Sequence, residues 1–145
     1  MKSCFISKIF WISTSILSLC IGGIIYLFFR PRTLYMFSYV PNDVIEWIDR
    51  TKLSFQDINN LEFVIYNLPA GLWTISYIIL MQLIMTDSRG INRILWIYSL
   101  PLFLTIVEFL QLFSFFPGTF DVLDIVVYII PIIFSILIDI RYEKF

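Results

Sequence analysis

Four apolar stretches separated by short polar ones set the pattern of this chain. Ile9 to Phe29 carries no charge, with Lys2 and Lys8 before it and Arg30 and Arg32 after it. A transmembrane helix needs ~20 mainly apolar residues, so this stretch predicts a first span over 9–29. Its apolar run is too long for a secretory leader and lacks a small-x-small cleavage site, which predicts a retained helix. The pattern Leu17-Ser-Leu-Cys20 is a poor lipoprotein box because Leu19 is large and the apolar run continues past it. A second span is predicted over 68–86, opening on Pro69-Ala-Gly71 and reaching full length only by starting near Phe63, by including a kink at Pro69 or by tilting against its neighbours. A third covers 94–116, with Glu108 its one charge, and a fourth covers 122–139. Pro117-Gly118 reads as the turn between the last two, making them an antiparallel hairpin.

Residues 30–67 form the one sizeable extramembrane segment. The Arg30-Pro31-Arg32 sequence stops the first helix, since a residue preceding proline disfavours the α region. Beyond Pro41-Asn42-Asp43, the residues Val44, Ile45, Trp47 and Ile48 interleave with Asp43, Glu46 and Asp49. That spacing predicts a short amphipathic helix at the membrane interface with Trp47 as an anchor. The mixed stretch 53–66 is expected to form a second interfacial helix or a cap. The fold class is therefore all-α: a polytopic four-helix membrane bundle in a single domain, with one loop carrying an interfacial helix.

Polar residues inside the spans are not scattered. Ser15, Ser18 and Gly22 share a face of the first span with Trp11 and Tyr26, which suits close helix contact. In the third span Pro101, Thr105, Glu108, Gln111 and Phe115 recur at steps of three or four. The fourth does the same with Asp121, Asp124, Tyr128, Pro131, Ser135 and Asp139. Two such stripes are expected to face each other inside the bundle. At ~1.5 Å per residue, Asp121 lies ~5 Å from the turn, Gln111 ~9 Å, Asp124 ~10 Å and Glu108 ~14 Å. Charged groups at membrane depth are costly and by default mark a site. The candidate ligand-binding set is thus Glu108, Gln111, Asp121, Asp124 and Tyr128. No basic residue sits on either stripe, so the acids repel unless some are protonated or a cation joins them. Asp121 also has the position of an N-cap for the last helix.

Composition sharpens this. The chain is 59% hydrophobic and 14% charged, against an apolar share of ~45–50% in soluble domains. Its mean hydropathy is +0.87. A net charge of −1 gives no reason to expect a nucleic-acid partner. The absence of histidine removes the commonest catalytic base and transition-metal ligand. Cys4 and Cys20 are too far apart on one helix to bridge and read as packing residues. Four spans put both termini on one side. With the termini cytoplasmic, Lys2, Lys8, Arg89, Arg93, Arg141 and Lys144 fall inside, as the positive-inside rule favours. The acidic pocket then opens outward beneath the long loop.

The pairing of Glu108-x-x-Gln111 with Asp121-x-x-Asp124 across a short turn resembles the VanZ-like family of small bacterial membrane proteins. The entry Asn67-Leu-Pro-Ala-Gly-Leu-Trp73 is similar to that of divergent members, and the likeness covers roughly 67–140. Tyr128 stands where the family has an Asn, and Pro131 where it has a Gly. The resemblance implies a bacterial cytoplasmic membrane protein of the cell envelope, in a family linked to glycopeptide antibiotic resistance, and implies no particular reaction. Three functions follow. The first is a non-enzymatic protein that binds a polar lipid headgroup, a glycolipid or an envelope precursor in the acidic pocket, without a cofactor. The second is an enzyme on a lipid-linked substrate, with Glu108, Asp121 and Asp124 holding a divalent cation through oxygen ligands. The third is a structural or regulatory subunit whose stripes serve assembly with itself or a partner membrane protein.

Overall fold

The charge-free first stretch is one long helix, α1 (Lys2–Phe29), in a computed structural model that describes residues 2–30, 32, 35–53 and 62–142. A 3₁₀ turn (Tyr35–Tyr39) leads to α2 (Asn42–Leu53), followed after an undescribed stretch by α3 (Glu62–Tyr66) and α4 (Leu68–Ile84). The chain ends with α5 (Ile91–Leu112) and α6 (Val122–Tyr142). Helices are the one regular element among the described residues. The cap expected over 53–66 lies largely outside the described residues, as do the side chains of Lys2, Cys4, Asp139 and Arg141.

The central helix is α4, which packs on α1, α5 and α6. The small-residue face of α1 makes the closest of these contacts. Ser15 Oγ donates to the Ser76 carbonyl at 2.9 Å, and Ser18 Oγ to the Leu72 carbonyl at 2.9 Å. A Cβ on Gly22 would stand 2.7 Å from the Trp73 indole nitrogen and 3.2 Å from the Pro69 carbonyl, so glycine is what lets the backbones meet. Tyr26 and Trp73 continue the contact, ring centroids 5.2 Å apart. Toward the other side of α4, Ile78, Ile97 and Tyr98 form a buried core. Thr74, Pro69 and Pro101 are fully buried.

The outward faces are apolar. Phe10, Leu17, Ile24, Phe103, Phe109 and Phe134 are all exposed. Two helical stretches, Lys8–Phe29 and Ile91–Leu112, are long and apolar enough to cross a membrane, and Leu68–Ile84 and Val122–Leu137 are shorter apolar helices. Pro69 does not kink the second apolar helix midway. It sits near the first turn of α4, where its missing N–H costs no bond, and α3 runs into α4 through Asn67.

One feature differs from the sequence expectation. The helix predicted to reach Phe116 stops at Leu112. Ser114 adopts φ 59°, its N–H bonds the Gln111 carbonyl at 2.9 Å, and the Phe115 N–H bonds the Leu110 carbonyl at 2.9 Å. This is a Schellman closure with serine in the left-handed position that glycine usually takes. The Pro-Gly pair drew the expected turn too late, and Phe115 leaves the polar stripe to become exposed. The helix expected beyond Pro41 is present as α2, with Trp47 largely exposed. Its Ile48 is buried and Trp47 packs edge-on against Phe28, so the amphipathic helix docks on the end of α1. Arg32 fastens it, pairing with Asp49 at 2.6 Å.

Candidate functional site

All four long helices contribute to one end of the bundle, and the acids lie there. Asp121 caps α6: its Oδ1 accepts the Leu123 N–H at 2.8 Å, as the residue type and position predict. Asp124 sits in the first turn of the same helix. Glu108, on the last full turns of α5, is buried, and its Oε2 accepts the Asp121 backbone N–H at 3.3 Å. The two polar stripes therefore do meet, through a carboxylate on one and a helix start on the other.

Between them stands a residue that sequence reasoning assigned no role. Asn67 is buried, and its Nδ2 donates to Asp121 Oδ2 and to Asp124 Oδ1, both at 2.9 Å. It occupies the N-cap position of α4 yet makes no side-chain cap bond, spending its amide on the acids instead. The signal was present: an Asn immediately before a Leu-Pro helix entry is a cap candidate at the same depth as the acids. Asp124 and Asp121 also lie beside the N-terminal ends of α4 and α6, whose dipoles favour negative charge.

Arg30 is the second omission. It lies one residue past α1, so it belongs to neither polar stripe. Its guanidinium rests between the rings of Tyr26 and Tyr66, 5.1 and 5.2 Å from their centroids, and donates to the Tyr66 carbonyl at 3.3 Å. The buried Nε has no hydrogen-bond partner. Arg30 is within coulombic range of Asp124 and Tyr128, but no ion pair joins it to an acid among the described residues. The cluster thus has a neighbouring cation, one that comes from the end of α1 and not from either polar stripe.

The remaining candidates divide. Tyr128 is buried one turn along α6 from Asp124. Gln111 packs its carboxamide on Gly118, where a Cβ would fall 2.7 Å away and φ is 140°. The structure therefore gathers Glu108, Asp121, Asp124 and Tyr128 with Asn67 and Arg30, with Gln111 in the last turn of α5 against the turn that leads to Asp121. Among the described residues no three acidic or thiol side chains are grouped as a metal ion would require.

Hydrogen bonding does not saturate the acids. Glu108 Oε1 and Asp124 Oδ2 accept no bond from the described residues, and neither is a sealed, partnerless atom. Each therefore has an acceptor left at accessible surface. A cavity of about 710 Å³ lies in the opposite half of the bundle, and none of these residues lines it. No protein-family model, curated protein or solved structure matches the chain.

Proposed function

We propose that this is a VanZ-like, four-span protein of the bacterial cytoplasmic membrane whose cluster of acids binds the headgroup of an envelope lipid. Both termini are cytoplasmic in this reading, and the cluster faces outward. The observation that carries it is the pair of carboxylate oxygens on Glu108 and Asp124 that the described residues leave unused, Asp124 being held by the Asn67 amide and Glu108 by the Asp121 N–H. Acceptors fixed in this way suit ammonium groups and sugar hydroxyls, both of which are donors. The aromatic residues Tyr26 and Tyr66 beside Arg30 add stacking faces. Catalysis draws less support, since the cluster has neither a nucleophile paired with a base nor a grouped ligand set for a metal.

The Asn67 bridge also favours a second reading, in which the cluster locks α4 to α6 for assembly with a second copy or a partner subunit. Retention of phosphatidylethanolamine and a glucosyl diacylglycerol by the purified protein, measured by native mass spectrometry, separates the two. Under the binding reading, Glu108→Gln and Asp124→Asn each weaken retention about tenfold, the equivalent of one charge-assisted hydrogen bond at about 1.4 kcal/mol. Their melting temperatures stay near that of the parent. Unchanged retention with lowered melting temperatures would establish the lock and remove the lipid site.

A further inference from the structure

The cavity in the other half of the bundle has a different chemistry. We propose that it is a lateral binding cleft for an anionic glycerophospholipid, holding one acyl chain against its apolar wall and the phosphate at Arg93. Its floor is α4 (Ile75, Ile79, Gln82), one wall is α1 (Trp11, Thr14) and the other is α6 (Ile130, Pro131, Phe134, Ser135). α1 and α6 each pack on α4 but hardly on one another, so the cleft lies between them along the bundle's flank. At ~1.5 Å per residue, Gln82 is ~22 Å along the chain axis from Asn67, which makes this a separate site from the acids.

Three observations identify the occupant. The volume of about 710 Å³ falls in the range of ligand clefts, ~300–1,000 Å³. The lining is mostly aliphatic and aromatic, and two of its polar side chains are bonded together: Gln82 Nε2 donates to Ser135 Oγ at 2.7 Å. Such a wall accepts a hydrocarbon chain. Polarity then changes along the cleft toward Arg93 and Thr86, and this end of the protein is basic. Lys8, Arg89 and Arg93 stand there against Asp87 among the described side chains. Arg93 lines the cleft, and its guanidinium carries five donors in a planar fork of the kind that matches a phosphate. The match of apolar slot to acyl chain and of cationic end to phosphate selects an anionic lipid over a zwitterionic one. The inference rests on the membrane placement proposed above, and is independent of the acidic cluster.

The test uses the full chain, stripped of lipid in detergent and titrated with phosphatidylglycerol or phosphatidylcholine of identical acyl chains in native mass spectrometry. One phosphatidylglycerol should bind per chain, about tenfold tighter than phosphatidylcholine. Arg93→Gln should bring the first down to the second, whereas Arg93→Lys keeps most of the preference. Thr14→Trp or Ile79→Trp, each filling the slot from a different helix, should weaken both lipids. Among the described residues Thr14 bonds its own helix carbonyl at Phe10, so its replacement removes no interhelical bond there. Equal affinity for the two lipids in the parent chain, or full binding by both filling variants, overturns the proposal. So does loss on Glu108→Gln with both filling variants unaffected, which would move the lipid to the acids and leave the headgroup reading standing.

Discussion

One side-chain nitrogen holds two carboxylates at the junction of α4 and α6. The Asn67 amide donates to Asp121 and Asp124 while its own backbone belongs to the α3–α4 passage. Removing a buried donor leaves both acceptors short, and hydrogen bonds to charged groups contribute about 1.5–3 kcal/mol each. Asn67→Ala should therefore lower thermal stability by a similar amount. Asn67→Asp should cost more, because it sets a third acceptor against two. The comparison is a melting curve of each variant in one detergent; equal curves for all three proteins would show that the bridge carries no stability. The acids were legible from their spacing, because a charge inside an apolar run is conspicuous. Asn67 and Arg30 were not, because each lies just beyond a helix end, where a polar residue is ordinary. Gln111 keeps its i, i+3 spacing from Glu108 on α5 and packs its carboxamide on Gly118.

Periodicity served best where two helices meet along their length. Ser15, Ser18 and Gly22 repeat at helical spacing, and every one of them touches α4. Neighbouring Gly23 is a built-in control, since a Cβ there meets nothing within 4 Å. Gly22→Leu must displace Trp73 and should destabilise the protein by about 1–3 kcal/mol, the usual cost of overpacking. Gly23→Leu should leave the melting temperature nearly unchanged. If the two variants melt alike, the α1–α4 contact is looser than its geometry implies. Periodicity failed at the end of α5, where no pattern of apolar residues marks the stop. The Schellman closure is a backbone event, and Ser114 carries a weaker signal for the left-handed region than the glycine four residues later.

The two ends of the molecule differ in charge, and that asymmetry bears on its orientation. At one end, the described cations Lys8, Arg89 and Arg93 lie close to the apolar helices. At the other are Glu108, Asp121 and Asp124, with Arg32 and Arg50 engaged by Asp49 and Glu46. The positive-inside bias counts Lys and Arg near span ends, while acids contribute little. It is therefore the short basic segments, and not the acidic cluster, that argue for cytoplasmic termini. This orientation can be read by thiol labelling in a chain with Cys4 and Cys20 replaced by serine. Asp43→Cys, exposed on α2, should react with a membrane-impermeant maleimide on intact cells stripped of outer barriers. Asp87→Cys, exposed on the turn between α4 and α5, should react only after permeabilisation. Labelling of both from one side would mean that α4 does not cross. The reverse pattern would turn the protein over, place the acids in the cytoplasm, and make an outward-facing headgroup site untenable.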